Sequence, residues 1–493
     1  MEVHGEAGPG RRERWQIMER MNALDAGFFF SEDARAPLHI ASVTVLEGPA
    51  PTLEELTELT AAKLDQLPRY RQRVRTVPFG LGLPFWADDE RFDLAHHIRH
   101  TAVPPPGGPD ELRDTAGRIL SQPLDMHRSP WEIWLIEGLA EGRWALVMKV
   151  HHCVVDGVGA ADLMTVLFSL VPEPPPPPVP GLWRPAPAPS GMSLLGAALR
   201  ADVTEPLAKV TGLARGIGGL RDIRGFLLGL PRSVQRVAHR TPASLGRPVG
   251  PHRRWLRLTA ELSEIKTIRA ALGGTVNDVV LTAVTRGFRE LLAARDDLTD
   301  ATVVRAMVPV SVRAEGEHGV LANRISAVIV DLPCHEPDPA RRLFLIRGQT
   351  DDLKRTHQAV SGDALIQLAG LAPTLLTLAS RAVMAVAKPM FQTVVTNVPG
   401  PQFPLYVLGR RVVELYPYVP IAAGIQASIG VLSYLGRCYF GISGDLDSTP
   451  DLEVLTKGIE AGFAELLAGS RPYEMPVPPA TRQSPSNRRG APS

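Results

Sequence analysis

The chain has 493 residues, of which 44% are hydrophobic and 21% charged, enough length and apolar content for two or more domains with real cores. Lys and Arg number 53 against 52 Asp and Glu, and a net charge of +1 argues against a nucleic-acid protein, whose affinity rests on neutralising phosphates. Cys153, Cys334 and Cys438 form no CxxC pair and no zinc-site spacing, and an odd count suits a reduced, cytosolic setting better than a disulfide scaffold.

Residues 1–17 carry charge but no apolar stretch of the secretory kind, so they read as a disordered extension, with Met18 and Met21 both candidate starts. Residues 18–171 read as one α/β domain. "LHIASVTVLEG" alternates as a strand. "TLEELTELTAAKLDQLP" has helical spacing and stops at Pro68. "DELRDTAGRILSQPL" is a second helix, with an acidic first turn that suits the helix dipole. "WEIWLIEGL" and "WALVMKV" are paired strands joined by "AEGR", and "GAADLMTVLFSLV" is a helix.

Residues 172–190, "PEPPPPPVPGLWRPAPAPS", are too proline-dense for regular structure and read as a polyproline linker. Residues 191–253 read as a helical, basic connector. Its basic face suits either an anionic membrane surface or a solvated bridging helix.

Residues 254–470 read as a second α/β domain. "ELSEIKTIRAAL", "TVNDVVLTAVTRGFRELLAA" and "DLEVLTKGIEAGFAELLAG" are its helices. "VVRAMVPVSVR", "RISAVIVDLP", "FQTVVTNVPG" and a hairpin turning near Leu435–Gly436 are its strands. Residues 471–493 read as a disordered tail. The most apolar stretch, Leu368 to Ala387, is broken by Pro373 and Arg381 and reads as a buried helix rather than a membrane span.

The stretch that carries chemistry is "HHCVVDG", which comes straight off the strand "WALVMKV" and leads into a helix. A strand end is a rigid platform for a reactive group. Histidine, with an ordinary pKa of about 6.5, can take a proton from a hydroxyl near neutrality. Asp156 can fix the loop by pairing with an arginine, or can bond a histidine. Gly157 permits a tight turn, and Gly159 and Ala160 leave room for a ligand. Cys153, inside the motif, reads as packing rather than as a nucleophile. The other pair, His96 and His97 in "FDLAHHIRH", has no Asp-Gly after it and reads as structural. No Walker, dinucleotide or GxSxG pattern is present.

"HHCVVDG" resembles the HHxxxDG motif of the bacterial wax ester synthase/acyl-CoA:diacylglycerol acyltransferases, members of the chloramphenicol acetyltransferase-like, CoA-dependent acyltransferase superfamily. The resemblance runs from about Met21 to Tyr473. "MNALDAGFFFSEDARAPLHI", "LPRYRQRVRTVPFGLGLPFWADDERFDLAHHIRH", "QPLDMHRSPWEIWLIEGL", "GGTVNDVVLTAV", "VPVSVR" with Asn323, and "TNVPGPQFPLYVLGRRV" resemble the family's blocks in order. Ser129 stands before Pro130 and Trp131 where Arg is frequent, with no Leu between.

The resemblance implies an α/β fold with mixed sheets: two chloramphenicol acetyltransferase-like domains facing across a central substrate tunnel. It implies His152 as general base, His151 in support, and Asp156 as structural anchor of the motif, with Arg313 a candidate partner. Asn277 and Asp278 are implied to order the site across the domain interface; Asn397 reads as a turn former or a site-lining residue. The implied reaction moves a long-chain acyl group from acyl-CoA, the co-substrate, to diacylglycerol or a fatty alcohol. No bound cofactor and no metal are expected. A cytoplasmic location is expected, with contact to a membrane or lipid-droplet surface. Two alternatives stand beside this: a condensation-type enzyme fed by a carrier protein, and a non-catalytic lipid-binding protein.

Overall fold

The computed structural model describes residues 19–155, 166–173, 183–201, 242–311, 325–356, 391–422 and 424–470. Asp156, Gly157, Gly159, Ala160, Arg313, Asn323 and Leu368 to Ala387 lie outside these residues.

In chain order the first half supplies β1 (Glu19–Arg20), α1 (Ala23–Ser31), β2 (His39–Leu46), α2 (Leu53–Lys63), β3 (Gln72–Arg75), β4 (Phe85–Asp88), β5 (Ile98–Ala102), α3 (Pro109–Ser121), β6 (Trp131–Leu139) and β7 (Arg143–His151). A helix, α4, covers residues 191–201. Then come β8 (Arg253–Glu261), α5 (Leu262–Leu272), α6 (Val276–Ala294), β9 (Val304–Ser311), β10 (Ile325–Leu332) and α7 (Pro339–Thr356). The chain continues with β11 (Thr393–Pro399), β12 (Tyr406–Val407), β13 (Arg410–Tyr418), β14 (Ala427–Tyr434), β15 (Arg437–Asp445) and α8 (Leu452–Ser470).

Two six-stranded sheets dominate, in the orders β12-β13-β2-β7-β6-β5 and β10-β9-β11-β14-β15-β8, and β1-β4-β3 form a small third sheet. Both large sheets are mixed: β5 runs parallel to β6, and β11 runs parallel to β9 and β14. Local sequence explains the elements. Glu141 and Gly142 adopt φ of 61° and 64°, the left-handed geometry that closes the tight β6–β7 turn. Thr52 and Glu55 form a reciprocal capping box that starts α2. The last turn of α3 receives a buried cation: Lys149 Nζ donates to the carbonyls of Ile119 (3.0 Å) and Gln122 (2.7 Å), where the helix dipole favours positive charge.

The boundary between the sheets is not a boundary in sequence. Strands β12 and β13 lie late in the chain, inside the stretch read from sequence as the second unit, yet they complete the first sheet. β13 pairs β2 from Val412↔Leu46 to Tyr418↔Ala41. Alternation marks a strand but does not say which sheet it joins. The crossing requires glycine: a Cβ on Gly441 would sit 1.7 Å from the Pro417 carbonyl oxygen, and one on Gly430 would sit 3.0 Å from the Pro417 ring. Trp255, Tyr434 and Tyr439 from the second sheet enter the hydrophobic core of the first.

The proline-rich stretch is anchored at its second end. The Ala186 N–H donates to Asp88 (2.9 Å) and the Ala188 N–H to Glu90 (2.6 Å). The Arg71 guanidinium lies 5.2 Å over the Trp183 ring. No helix among the described residues is long and apolar enough to cross a membrane.

Candidate active site

The last residue of β7, His151, lies opposite His39 of β2, and the chain then leaves the sheet. This sends two adjacent histidines to different surroundings. His151 is fully enclosed. Its Nδ1 accepts the Cys153 backbone N–H at 3.1 Å and lies 2.9 Å from Cys153 Sγ. With Nδ1 acting as acceptor, the ring proton sits on Nε2, which faces Glu32 Oε2 at 3.4 Å. The other Glu32 oxygen accepts the Leu38 N–H at 3.0 Å.

His152 is half-buried, and its backbone N–H donates to the Leu38 carbonyl at 3.0 Å. Its ring stacks on Phe28, with centroids 3.9 Å apart and planes 22° from parallel. Burial pushes the imidazole from its ordinary 6.5 down to about 4; His151 beside it pushes the same way, and the backbone carbonyl of His152 works against it. The ring is therefore neutral at neutral pH, the state in which a histidine accepts a proton. Nδ1 is buried with no hydrogen-bond partner among the described residues.

Cys153 is buried, and enclosure together with Asp25 and Glu32 pushes its thiol well above the usual range. A thiol held protonated is a poor nucleophile, which agrees with a packing role. Asp156 and Gly157, the remaining residues of the motif, lie outside the described residues.

Asp278 of the Asn-Asp pair is almost fully buried. One of its oxygens accepts the backbone N–H and hydroxyl of Thr275 (2.8 Å each), and the other accepts the Thr350 hydroxyl (2.8 Å). These bonds cap α6 and tie it to α7. Asn277 faces the second sheet, where Asn397 Nδ2 donates to its Oδ1 at 3.5 Å. The pair thus joins elements of the second half to one another.

His97 fits a structural reading. Its ring lies between Phe92 (5.1 Å) and Trp131 (4.4 Å), and its Nδ1 meets the Trp131 carbonyl at 2.8 Å. His96 is exposed, 3.6 Å from Asp93.

Phe28 and Glu32 escape a search centred on the histidine motif. Their signal was nevertheless present in "DAGFFFSE": Asp25, Phe28 and Glu32 fall at i, i+3 and i+7, one face of α1 and its C-terminal cap. Asn22 opens that helix, its side chain accepting the Asp25 N–H at 2.9 Å.

Comparison with known proteins identifies the family. Residues 21–280 match the wax ester synthase/diacylglycerol acyltransferase catalytic domain, and residues 321–467 match the WS/DGAT C-terminal domain. The chain belongs to this family. It is 33% identical over 461 residues to "Probable diacyglycerol O-acyltransferase tgs1" of Mycobacterium tuberculosis, covering 92% of this chain and 97% of that one. It is 31% identical to "Probable diacyglycerol O-acyltransferase tgs2" of the same species, covering 91% and 99%. The solved wax ester synthase/diacylglycerol acyltransferase from Marinobacter aquaeolei VT8 superposes with a TM-score of 0.65 at 26% identity, covering 92% of this chain and 100% of that chain. The starter condensation domain of rhizomide synthetase RzmA, solved with C8-CoA and Leu-SNAC, shares the fold at 14% identity and a TM-score of 0.56. This WS/DGAT chain is an acyltransferase whose two-sheet fold is shared by these structures.

Proposed function

We propose that the protein transfers a long-chain acyl group from acyl-CoA to the free hydroxyl of diacylglycerol, giving triacylglycerol, and uses long-chain alcohols as second acceptors, giving wax esters. The observation that carries this reading is the neutral, stacked His152 imidazole at the end of β7. His152 removes the acceptor hydroxyl proton as the oxygen attacks the thioester carbonyl. The tetrahedral intermediate collapses, the C–S bond breaks, and His152 returns the proton to the CoA thiolate. His151 supports this by filling the space behind the motif, its Nε2 lying 3.4 Å from Glu32 Oε2. The acyl-CoA donor is supported by family membership and by the CoA-bound relative of the same fold. Diacylglycerol is supported by the names of the mycobacterial relatives.

The test is CoA release from one long-chain acyl-CoA, without any carrier protein, in the presence of diacylglycerol or a fatty alcohol, with lipid products resolved. Wild type is expected to release CoA and form the matching ester. His152→Ala is expected to lose about a hundredfold or more while staying folded. Near-normal turnover by that variant refutes the assignment of the base. Turnover only with a carrier-bound acyl group refutes the donor.

A further inference from the structure

We propose that the turn at 78–82 and helix α4 form the surface with which this protein sits on an anionic lipid layer. The proposal rests on the lipid-acceptor reading above, because diacylglycerol and triacylglycerol reside in lipid and no described helix crosses a membrane.

Phe79 is the tip of the turn, held at φ 62° and 90% exposed, the most exposed large apolar side chain among the described residues. A bulky residue at positive φ with its ring in solvent has a backbone cost and no packing return within the fold. Leu81, at the other side of the turn, is 38% exposed. The turn abuts α4: a Cβ on Gly191 would lie 3.2 Å from the Pro78 ring. The residues next to that contact are Phe79 and Met192, and Met192 is 77% exposed.

Helix α4 has two apolar stripes. Leu194 and Ala198 are buried against Val77 and Phe85. Met192, Leu195 and Leu199 fall at i, i+3 and i+7 on a neighbouring stripe; Leu195 is partly buried, and Leu199 is 53% exposed. The fold therefore packs Leu195 with the buried stripe and leaves Met192 and Leu199 exposed, with Met192 next to the Gly191–Pro78 contact. An apolar patch of this kind marks a site of contact.

Charge selects the occupant. The exposed Arg200 lies near the end of the described part of α4. The chain then continues into residues 202–241, whose sequence holds seven basic and three acidic residues. Exposed apolar side chains followed in the sequence by a net basic stretch suit a layer with anionic headgroups.

The experiment uses the full chain and sedimentation with vesicles of phosphatidylcholine containing phosphatidylglycerol. The Phe79→Ser/Met192→Ser variant is expected to bind at least about tenfold more weakly than wild type. Its CoA release with a short-chain diacylglycerol dissolved as monomers is expected to be unchanged. Phe79→Trp guards against a folding artefact: it is expected to bind like wild type and to add an emission component quenched by brominated acyl chains. Equal vesicle binding by wild type and the double variant overturns the proposal. So does an added indole that bromine does not quench, or a variant whose only change is loss of self-association. Vesicle binding that follows the proposal while neither acceptor is acylated refutes the function and leaves the surface standing.

Discussion

Replacing Phe28 by alanine tests why His152 is neutral. The ring lies 3.9 Å from the imidazole and covers one of its two faces. Burial is the main reason the imidazole falls from 6.5 to about 4, a gap of about 3 kcal/mol at ~1.4 kcal/mol per tenfold. Opening one face returns about half of that burial at most, so Phe28→Ala is expected to raise the pKa by about one pH unit. The sign follows from the base: transfer needs the unprotonated ring, so activity is lost as pH falls through the folded pKa. The acid limb of kcat/KM for CoA release is expected near pH 4 in wild type and near pH 5, by about one unit, in the variant. Stability is linked to the same shift. The depressed pKa gives a contribution that is complete above about 6.5, the unfolded value, and is lost as pH falls from there toward about 4. Phe28→Ala reduces that acid dependence. An unmoved acid limb in a variant that remains folded refutes the reasoning.

Other substitutions separate support from structure. Glu32→Gln removes the carboxylate 3.4 Å from His151 Nε2 while keeping the acceptor for Leu38 N–H. It is expected to lower kcat by about tenfold with little change in KM, from a misplacement of the motif; an unchanged kcat refutes the coupling. Asp278→Ala removes the carboxylate half of the capping box that starts α6 and the bond from the Thr350 hydroxyl, which keeps only the Arg347 carbonyl as acceptor. Thermal unfolding is expected to show about 1–2 kcal/mol of lost stability and no change in acid limb, whereas a shifted limb would return Asp278 to the reacting centre. Gly441→Ala places a methyl group against the Pro417 carbonyl, where neither backbone can give way cheaply. It is expected to cost on the order of 2 kcal/mol or more and to lower the unfolding midpoint by about two degrees or more; a wild-type midpoint refutes the close crossing.

The sequence was most informative where structure is local. The β6–β7 hairpin, the helix after Thr275 and the hairpin at Leu435–Gly436 follow from period, caps and turn residues, and the structure contains each. The short strands β1, β3 and β4 leave no sequence signal, because strands of two to four residues carry too few alternations to register. The destination of β13 was illegible for another reason: its partner β2 lies more than 360 residues away, and no local pattern encodes so distant a pairing. The site divided in the same way. The motif marked His151 and His152, but Phe28 and Glu32 reach them from another element, and the role of Asp278 as a cap needed Thr350 from α7.

The two halves meet at the loop that holds the motif. His152 hangs from the Leu38 carbonyl, and Glu32, facing His151, takes the Leu38 N–H. Between Glu32 and Leu38 lies Arg35, whose carbonyl accepts a hydrogen bond from the buried Arg253 guanidinium at the start of β8. The same guanidinium donates to Gly250 O at 2.8 Å and lies 3.6 Å from Asp445 on β15. A buried charge without partners is costly, so Arg253 holds this geometry only while both halves are in place. His152 is thus positioned by one half and steadied through that loop by the other. The Arg253–Asp445 pair ties the loop that carries Leu38 to a residue about three hundred positions after His152.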